Sequence, residues 1–308
     1  MTSASAPGKI ILFGEHAVVY GRPALAVPVT DVQANATVTE NRLRTIRIEA
    51  PGIGVNADLQ ALPPNHPLAA VTRAVLGALG IVHPPSFTMR IESTIPVASG
   101  LGSGAAVSVA AIRALASFLG CVMPDEKVNA LAFEIEKLHH GTPSGIDNIV
   151  VTYAKPVYFL KGCPGETFHP GVPFTIVIGD TGVPASTKES VREVRELWQA
   201  DPARFEKMFD VVGEIVQKAR EAIESGEMMD LGLLMDKNHS ILQGMTVSSQ
   251  LLDRLVDAAR SAGALGAKLS GSGRGGNMIA LVKPESAQTV AEALVAAGAK
   301  RTITTHVG

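Results

Sequence analysis

The feature that most constrains this chain is the run Ile95-Pro96-Val97-Ala98-Ser99-Gly100-Leu101-Gly102-Ser103-Gly104-Ala105-Ala106, where three glycines and two serines stand directly ahead of an apolar, helix-forming stretch. Glycines let the backbone approach an anion closely, and the N–H groups of a helix's first turn, with the positive end of its dipole, then point at the bound oxygens. This order of residues predicts a phosphate cradle. No Gly-Lys-Ser or Gly-Lys-Thr follows, so the loop is not a Walker A motif and any phosphate-binding lysine comes from elsewhere. Ser93 to Ile112 contains no charged residue, which is close to the length of a membrane span. Pro96, the three glycines and four serines would make a poor lipid-facing helix, so a buried core helix with a functional N-terminus is the better account.

With 308 residues the chain can bury a substantial core in one large or two medium domains. A formal net charge of -2, with no basic block and no aromatic-basic alternation, excludes the electrostatic footprint of a nucleic-acid binder. Cys121 and Cys163 are far apart and at no metal-ligand spacing, which fits a reducing cytoplasm. The first residues, Met1-Thr2-Ser3-Ala4-Ser5-Ala6, lack the basic and apolar regions of a secretory signal.

Strand-like alternation is expected at Ala36–Glu40, Thr45–Glu49 and Phe87–Glu92, and helices at Ala105–Leu119 and Glu126–Leu138, the second running into a polar turn His139–Gly145. Val157–Leu160 reads as a strand. The Gly- and Pro-rich segment Lys161–Pro173 is the expected domain boundary, dividing the chain into 1–168 and 169–308. Beyond it, Phe174–Ile178 reads as a buried strand, and Phe205, Met208, Phe209, Val212, Ile215, Val216 and Ala219 follow helical spacing. Strand Ala267–Leu269, a second Gly loop, strand Met278–Val282, helix Ala287–Ala297 and strand Arg301–His306 close the chain. Such mixing predicts an α+β protein with largely antiparallel sheets, without the alternation of a Rossmann fold.

Three further clusters carry chemistry. In Pro7-Gly8-Lys9 through Gly14-Glu15-His16, a strand is bounded by a lysine and by a Gly-Glu-His turn. Lys9 could lie beside a transferring phosphoryl group or be a solvated strand-end lysine, and Glu15 with His16 offers a carboxylate and an imidazole to a small polar substrate. In Glu134–Asn148, Glu136 and Asp147 are the carboxylates suited to a hard cation such as magnesium. Adjacent His139 and His140 lack a third ligand at transition-metal spacing, and Ser144-Gly145 could simply cap a helix. In Lys268-Leu269-Ser270-Gly271-Ser272-Gly273-Arg274-Gly275-Gly276-Asn277, the density of glycine exceeds what a hairpin needs, which points to close backbone approach to a ligand.

Taken together these segments resemble, in order, the three motifs of the GHMP kinases, and within that superfamily the mevalonate kinases, from Lys9 to Asn277. The continuation Ala17-Val18-Val19-Tyr20-Gly21 and the segment His140-Gly141-Thr142-Pro143-Ser144-Gly145-Ile146-Asp147 are similar to the mevalonate kinase versions. The resemblance implies a two-domain GHMP kinase fold with mixed or antiparallel sheets and an active-site cleft between the domains. It implies ATP-dependent phosphorylation of mevalonate to 5-phosphomevalonate, with ATP and Mg²⁺ as cofactors, no nucleic-acid or membrane partner, and room for a homodimer. A phosphomevalonate kinase, a sugar kinase and a catalytically silent metabolite sensor are the alternatives.

The roles implied by the resemblance are Asp147 as proton acceptor at the substrate hydroxyl, with Lys9 polarising the same oxygen. Glu15, His16, Ser144 and Thr187 contact the substrate, and Glu136 and Ser103 hold the metal. Pro96, Ser99, Gly100, Leu101, Gly102, Ser103, Gly104 and Ala105, with Gly271, Ser272 and Gly273, bind ATP. Two residues depart from the family pattern. Gly104 stands where a second serine commonly reaches the metal, and Arg274 replaces a common glycine, where its guanidinium could meet a phosphate, the substrate carboxylate or solvent.

Overall fold

The computed structural model describes residues 1–97, 99–140 and 144–308. They form two compact units, one built from Met1–Gly8, Val32–Val97 and Leu101–Ala154, the other from Lys9–Asp31, Lys155–Gly308 and a short piece ending at Gly100. The division falls inside two strands, β1 (Thr2–Phe13) and β2 (Ala24–Glu40), each of which contributes residues to both units.

In the first unit the sheet order is β4-β3-β5-β2, with β1 also on β2, where β3 is Ile46–Ala50, β4 Val55–Asp58 and β5 Phe87–Ser93. Strand β3 runs parallel to β5 and antiparallel to β4, and β2 pairs β5 antiparallel with Ala36 opposite Ile91. Helix α1 (Pro67–Ala78) is started by a proline at its first position, where the missing N–H costs nothing. Helix α2 (Ser103–Phe118) packs against α1, α3 (Asp125–His140) and α4 (Ile146–Tyr153). Ala105, Ala106, Ala110, Ala111, Ala114 and Ala116 of α2 are all fully buried, and their small side chains let neighbouring helices approach on every side. The one charge in α2, Arg113, donates to Asp125 Oδ1 at 2.6 Å and to the Thr152 carbonyl near the end of α4 at 2.7 Å, which satisfies an orphan helix carbonyl.

In the second unit Ala24–Ala26 of β2 pair antiparallel with β6 (Val157–Phe159), and β6 pairs with β7 (Glu166–Thr167). A four-stranded antiparallel sheet has the order β11-β8-β10-β9, with β8 Phe174–Asp180, β9 Gly266–Ser270, β10 Asn277–Val282 and β11 Arg301–Val307. Every residue of β8, β9 and β10 is buried, so these strands lack the in–out alternation of a half-exposed sheet, and the polar residues they carry, Lys268 among them, are enclosed too. Helices α5 (Thr187–Ala200), α6 (Pro202–Ser225), α7 (Met228–Gly244), α8 (Gln250–Ser261) and α9 (Ala287–Ala296) complete the unit. Helix α7 touches β9 backbone to backbone: a Cβ on Gly232 would overlap the Leu265 carbonyl, and one on Gly266 would overlap the Gly232 carbonyl.

The α+β expectation with mixed sheets holds. Two local expectations change. Strand β1 begins at Thr2, so Lys9 lies inside a strand, 8% exposed, and is not a solvated strand-end lysine. Helix α3 continues through His140 instead of turning at His139. Residues 141–143 and Ala98, expected in the polar turn and the glycine loop, lie outside the described residues, as do the side chains of His139 and His140. Among the described residues no helix is long and apolar enough to cross a membrane.

Candidate active site

The glycine loop delivers the expected helix start. Gly100 (φ 77°) and Gly102 (φ 71°) take left-handed backbone that other L-residues rarely adopt, and Leu101 between them is buried and anchors the loop. Gly102 is the N-cap of α2, and no side chain caps the helix, so the first-turn N–H groups of Ser103, Gly104 and Ala105 are those available to an anion. In the same unit Glu136, 9% exposed on α3, brings its carboxylate to this helix start: a Cβ on Gly104 would sit 3.5 Å from Glu136 Oε1. Ser144 and Asp147 flank the N-terminus of α4, whose N-cap is Gly145 (φ 90°). Ser144 Oγ accepts from the Ile146 N–H at 3.4 Å, and Asp147 is half-buried in the first turn.

The second unit gathers the first and third motifs. Gly14 (φ 96°) is obligatory, because a Cβ there would lie 2.5 Å from Ala24 Cα and from the Pro23 carbonyl. The turn residue His16 holds φ 62°. With ψ -49° and the Ala17 N–H donating to the Glu15 carbonyl at 2.7 Å it is the centre of a γ-turn of positive φ, a strained conformation that costs a non-glycine residue about 1–3 kcal/mol. Between them Glu15 is ion-paired to Lys268, and the two side chains are 1% and 0% exposed. The expectation that Glu15 offers its carboxylate directly to a substrate therefore meets a carboxylate enclosed by protein. His16 Nε2 lies 3.1 Å from the Ser272 carbonyl. A carbonyl can only accept, so Nε2 carries the proton and Nδ1 keeps its lone pair. Burial lowers the His16 pKa to about 4, with the Ser272 bond opposing and the Arg274 charge adding to the shift, so the ring is neutral near pH 7.

The third motif is shaped largely by the protein's own backbone. A Cβ on Gly273 would overlap the Val247 carbonyl, and one on Gly275 would lie 2.6 Å from the Val183 carbonyl. The close approach expected of a ligand is, at these two glycines, an approach to neighbouring loops. Gly271 (φ 87°) and Gly276 (φ 69°) would have no heavy atom within 4 Å of an added Cβ and are the open members of the run. Arg274 (φ 63°) pairs with Glu193 of α5, the helix that Thr187 opens at an exposed position. Asn277 Nδ2 donates to the Ser99 carbonyl at 2.6 Å and so ties the third motif to the start of the phosphate loop.

Residues 65–155 match the GHMP kinases N terminal domain and residues 219–300 the GHMP kinases C terminal domain. Mevalonate kinase of Thermococcus sibiricus is 40% identical over 98% of this chain and 95% of its own, and that of Pyrococcus abyssi 39% identical over 98% and 94%. The chain belongs to the mevalonate kinase family of GHMP kinases. The crystal structure of L. major mevalonate kinase in complex with R-mevalonate superposes with a TM-score of 0.86 at 30% identity, covering 100% of this chain and 96% of that one.

Three residues of this GHMP kinase carry no role in the sequence motifs and are central to its geometry: Lys268, Asn277 and His239. A lysine inside a five-residue strand of otherwise small and apolar residues is the available signal for a buried ionic partner. His239, on α7, accepts the Leu269 N–H on Nδ1 at 3.3 Å, and burial lowers its pKa to about 4. In the unfolded kinase both His16 and His239 titrate near 6.5. Their depressed folded values mean the unfolded chain binds more protons between pH 6.5 and about 4, so the stability they confer is complete above 6.5 and is lost as pH falls through that interval. Urea midpoints should therefore drop across this range, and His239→Asn, which keeps an acceptor for Leu269 without titrating, should remove about half of the slope. A slope unchanged in that variant would contradict the assignment.

Proposed function

We propose that the protein transfers the terminal phosphoryl group of ATP to the primary alcohol of mevalonate, giving 5-phosphomevalonate and ADP. The observation that carries phosphoryl transfer is the uncapped N-terminus of α2 with the Glu136 carboxylate beside Gly104. The acceptor is supported by the near full-length similarity to mevalonate kinases. The first-turn N–H groups of α2 and the loop from Pro96 to Ala105, with Gly271, Ser272 and Gly273, bind the phosphates. Asp147 takes the proton as the substrate oxygen bonds to the γ-phosphorus and the bond to the ADP oxygen breaks; Lys9 stabilises the same oxygen. His16, neutral with Nδ1 as acceptor, receives a hydroxyl of the substrate, and Ser144 and Thr187 complete the acceptor contacts.

One well-placed carboxylate at a phosphate-binding helix suits magnesium, which is usually held by one or two carboxylates plus substrate phosphates. Glu136 and Ser103 would hold it. Such an ion would supply neutralisation of the charge that develops on the phosphate oxygens. Because this transition state is loose, positioning and charge neutralisation supply most of the rate, which is what this residue set offers. Cys121 and Cys163 are free thiols, in keeping with a reducing, ATP-rich cytoplasm.

The reading is tested by coupled ADP release with MgATP against mevalonate, 5-phosphomevalonate, galactose, homoserine and no acceptor. Turnover confined to mevalonate is expected. Turnover on another acceptor alone would replace the substrate, and ATP binding without turnover on any of them would make the protein a sensor.

A further inference from the structure

The ion pair between Glu15 and Lys268 is the most completely buried charged contact described in the chain, and solvent reaches neither group. A desolvated pair of this kind is a weak source of stability, because hydration lost by both ions offsets their attraction; its better-attested use is to impose one geometry. The ammonium also donates to the Leu269 carbonyl at 2.7 Å and lies 5.7 Å from the centre of the Phe13 ring. Glu15 Oε2 is buried without a hydrogen bond, so Lys268 alone among the described residues holds this carboxylate.

The surrounding contacts show what the pair fixes. Lys268 and Ser270 are two apart in β9, the period that places side chains on one side of a strand, and Ser272 follows in the turn that leaves it. All three engage the segment from Ile11 to His16: Lys268 binds Glu15, Ser270 Oγ donates to the Ile11 carbonyl at 2.7 Å, and the Ser272 carbonyl receives His16 Nε2–H at 3.1 Å. The segment so held contains two departures from ordinary backbone, Gly14 at φ 96° and His16 at φ 62°. Residues in such regions persist only where the surroundings over-determine them, and they concentrate where function needs a fixed direction.

We propose that Lys268 is a positioning residue for the acceptor: acting through Glu15, it fixes the Gly14–His16 turn and with it the direction in which His16 presents Nδ1. This rests on the reading of His16 as an acceptor contact. Glu15 then serves the substrate from behind the imidazole rather than by direct contact. Loss of the pair lets the turn relax and weakens acceptor binding, while the phosphate loop is untouched.

The test is a mutant cycle on mevalonate kinase activity. E15Q/K268M removes both charges together and leaves no buried charge unpaired, so the chain is expected to fold. The KM for mevalonate should rise about tenfold, with the KM for ATP within about twofold of the parent. H16A should raise the mevalonate KM similarly, and adding E15Q/K268M in the H16A background should change it by less than about twofold, because the pair acts through the ring already removed. K268R, which keeps the charge and alters the reach, should shift the mevalonate KM in the same direction by a smaller factor, and serves as the readout if the double variant does not accumulate. If H16A raises the mevalonate KM and neither E15Q/K268M nor K268R does, or if the effects multiply in the H16A background, the positioning role falls while the acceptor reading stands. If H16A leaves that KM unchanged, the acceptor reading of His16 falls and takes the positioning role with it.

Discussion

Replacing Asp147 by asparagine is expected to lower kcat by about 10²–10⁴-fold, the range supplied by a positioned proton acceptor, with the fold and the KM for ATP close to the parent's. Asparagine matches aspartate in shape, and the side chain is half-buried in the first turn of α4, so the packing of Ile146, Val150 and Val151 beneath it is retained. The amide cannot accept the hydroxyl proton as the substrate oxygen attacks phosphorus. Single-turnover measurements separate this from slow product release: the chemical step itself should slow, with no burst of ADP. A kcat within a few-fold of the parent's would remove Asp147 from the mechanism.

Gly266→Ala is expected to destabilise the protein by about 4 kcal/mol or more, the size of effect seen when backbone is forced apart in a packed core. The added methyl would overlap the Gly232 carbonyl in the second turn of α7, and neither partner is the movable end of a flexible side chain. Relief requires α7 to move away from β9, which also carries Lys268 and the Leu269 N–H bound by His239. Gly77→Ala is the matched control. It lies within α1 with nothing within 4 Å of the new methyl. It should therefore stabilise by about 0.5–1 kcal/mol through helix propensity alone. Chemical unfolding of the two variants should move in opposite directions; equal midpoints would show that the α7–β9 approach yields easily.

Much of the scaffold is legible because its signals are local. The glycines and alanines from 100 to 116 announce a helix that begins at a glycine turn and is buried all round, and the spacing from Phe205 to Ala219 marks the buried stripe of α6. Strand β1 is harder. Its first seven residues, Thr-Ser-Ala-Ser-Ala-Pro-Gly, have little strand propensity, and pairing with β2 overrides it. Helix α1 carries a proline start and apolar Leu68, Val71 and Val75, usable signals for an element not anticipated above. The site divides in the same way. Glycine loops and paired carboxylates stand out in one dimension, whereas Lys268 finds Glu15 across 253 residues, a partnership no local period can reveal. Nor does sequence separate glycines that admit a ligand from Gly273 and Gly275, which admit the backbone of Val247 and Val183.

Because β1 and β2 each supply residues to both units, the order of synthesis and the order of assembly cannot coincide. Residues 9–31 leave the ribosome early, but their partners at 157–159 and 268–272 arrive after the whole of 32–154 has been made. For that interval an apolar stretch containing Ile10, Leu12, Phe13 and Leu25, all fully buried in the finished protein, has only the β1–β2 pairing and lacks its later partners in β6 and β9. Such delayed, long-range closure is slow and exposes unpaired strand edges. A nascent chain halted near residue 160 should therefore be a far better chaperone client than the completed one, and slowing translation should not, by itself, help this protein fold.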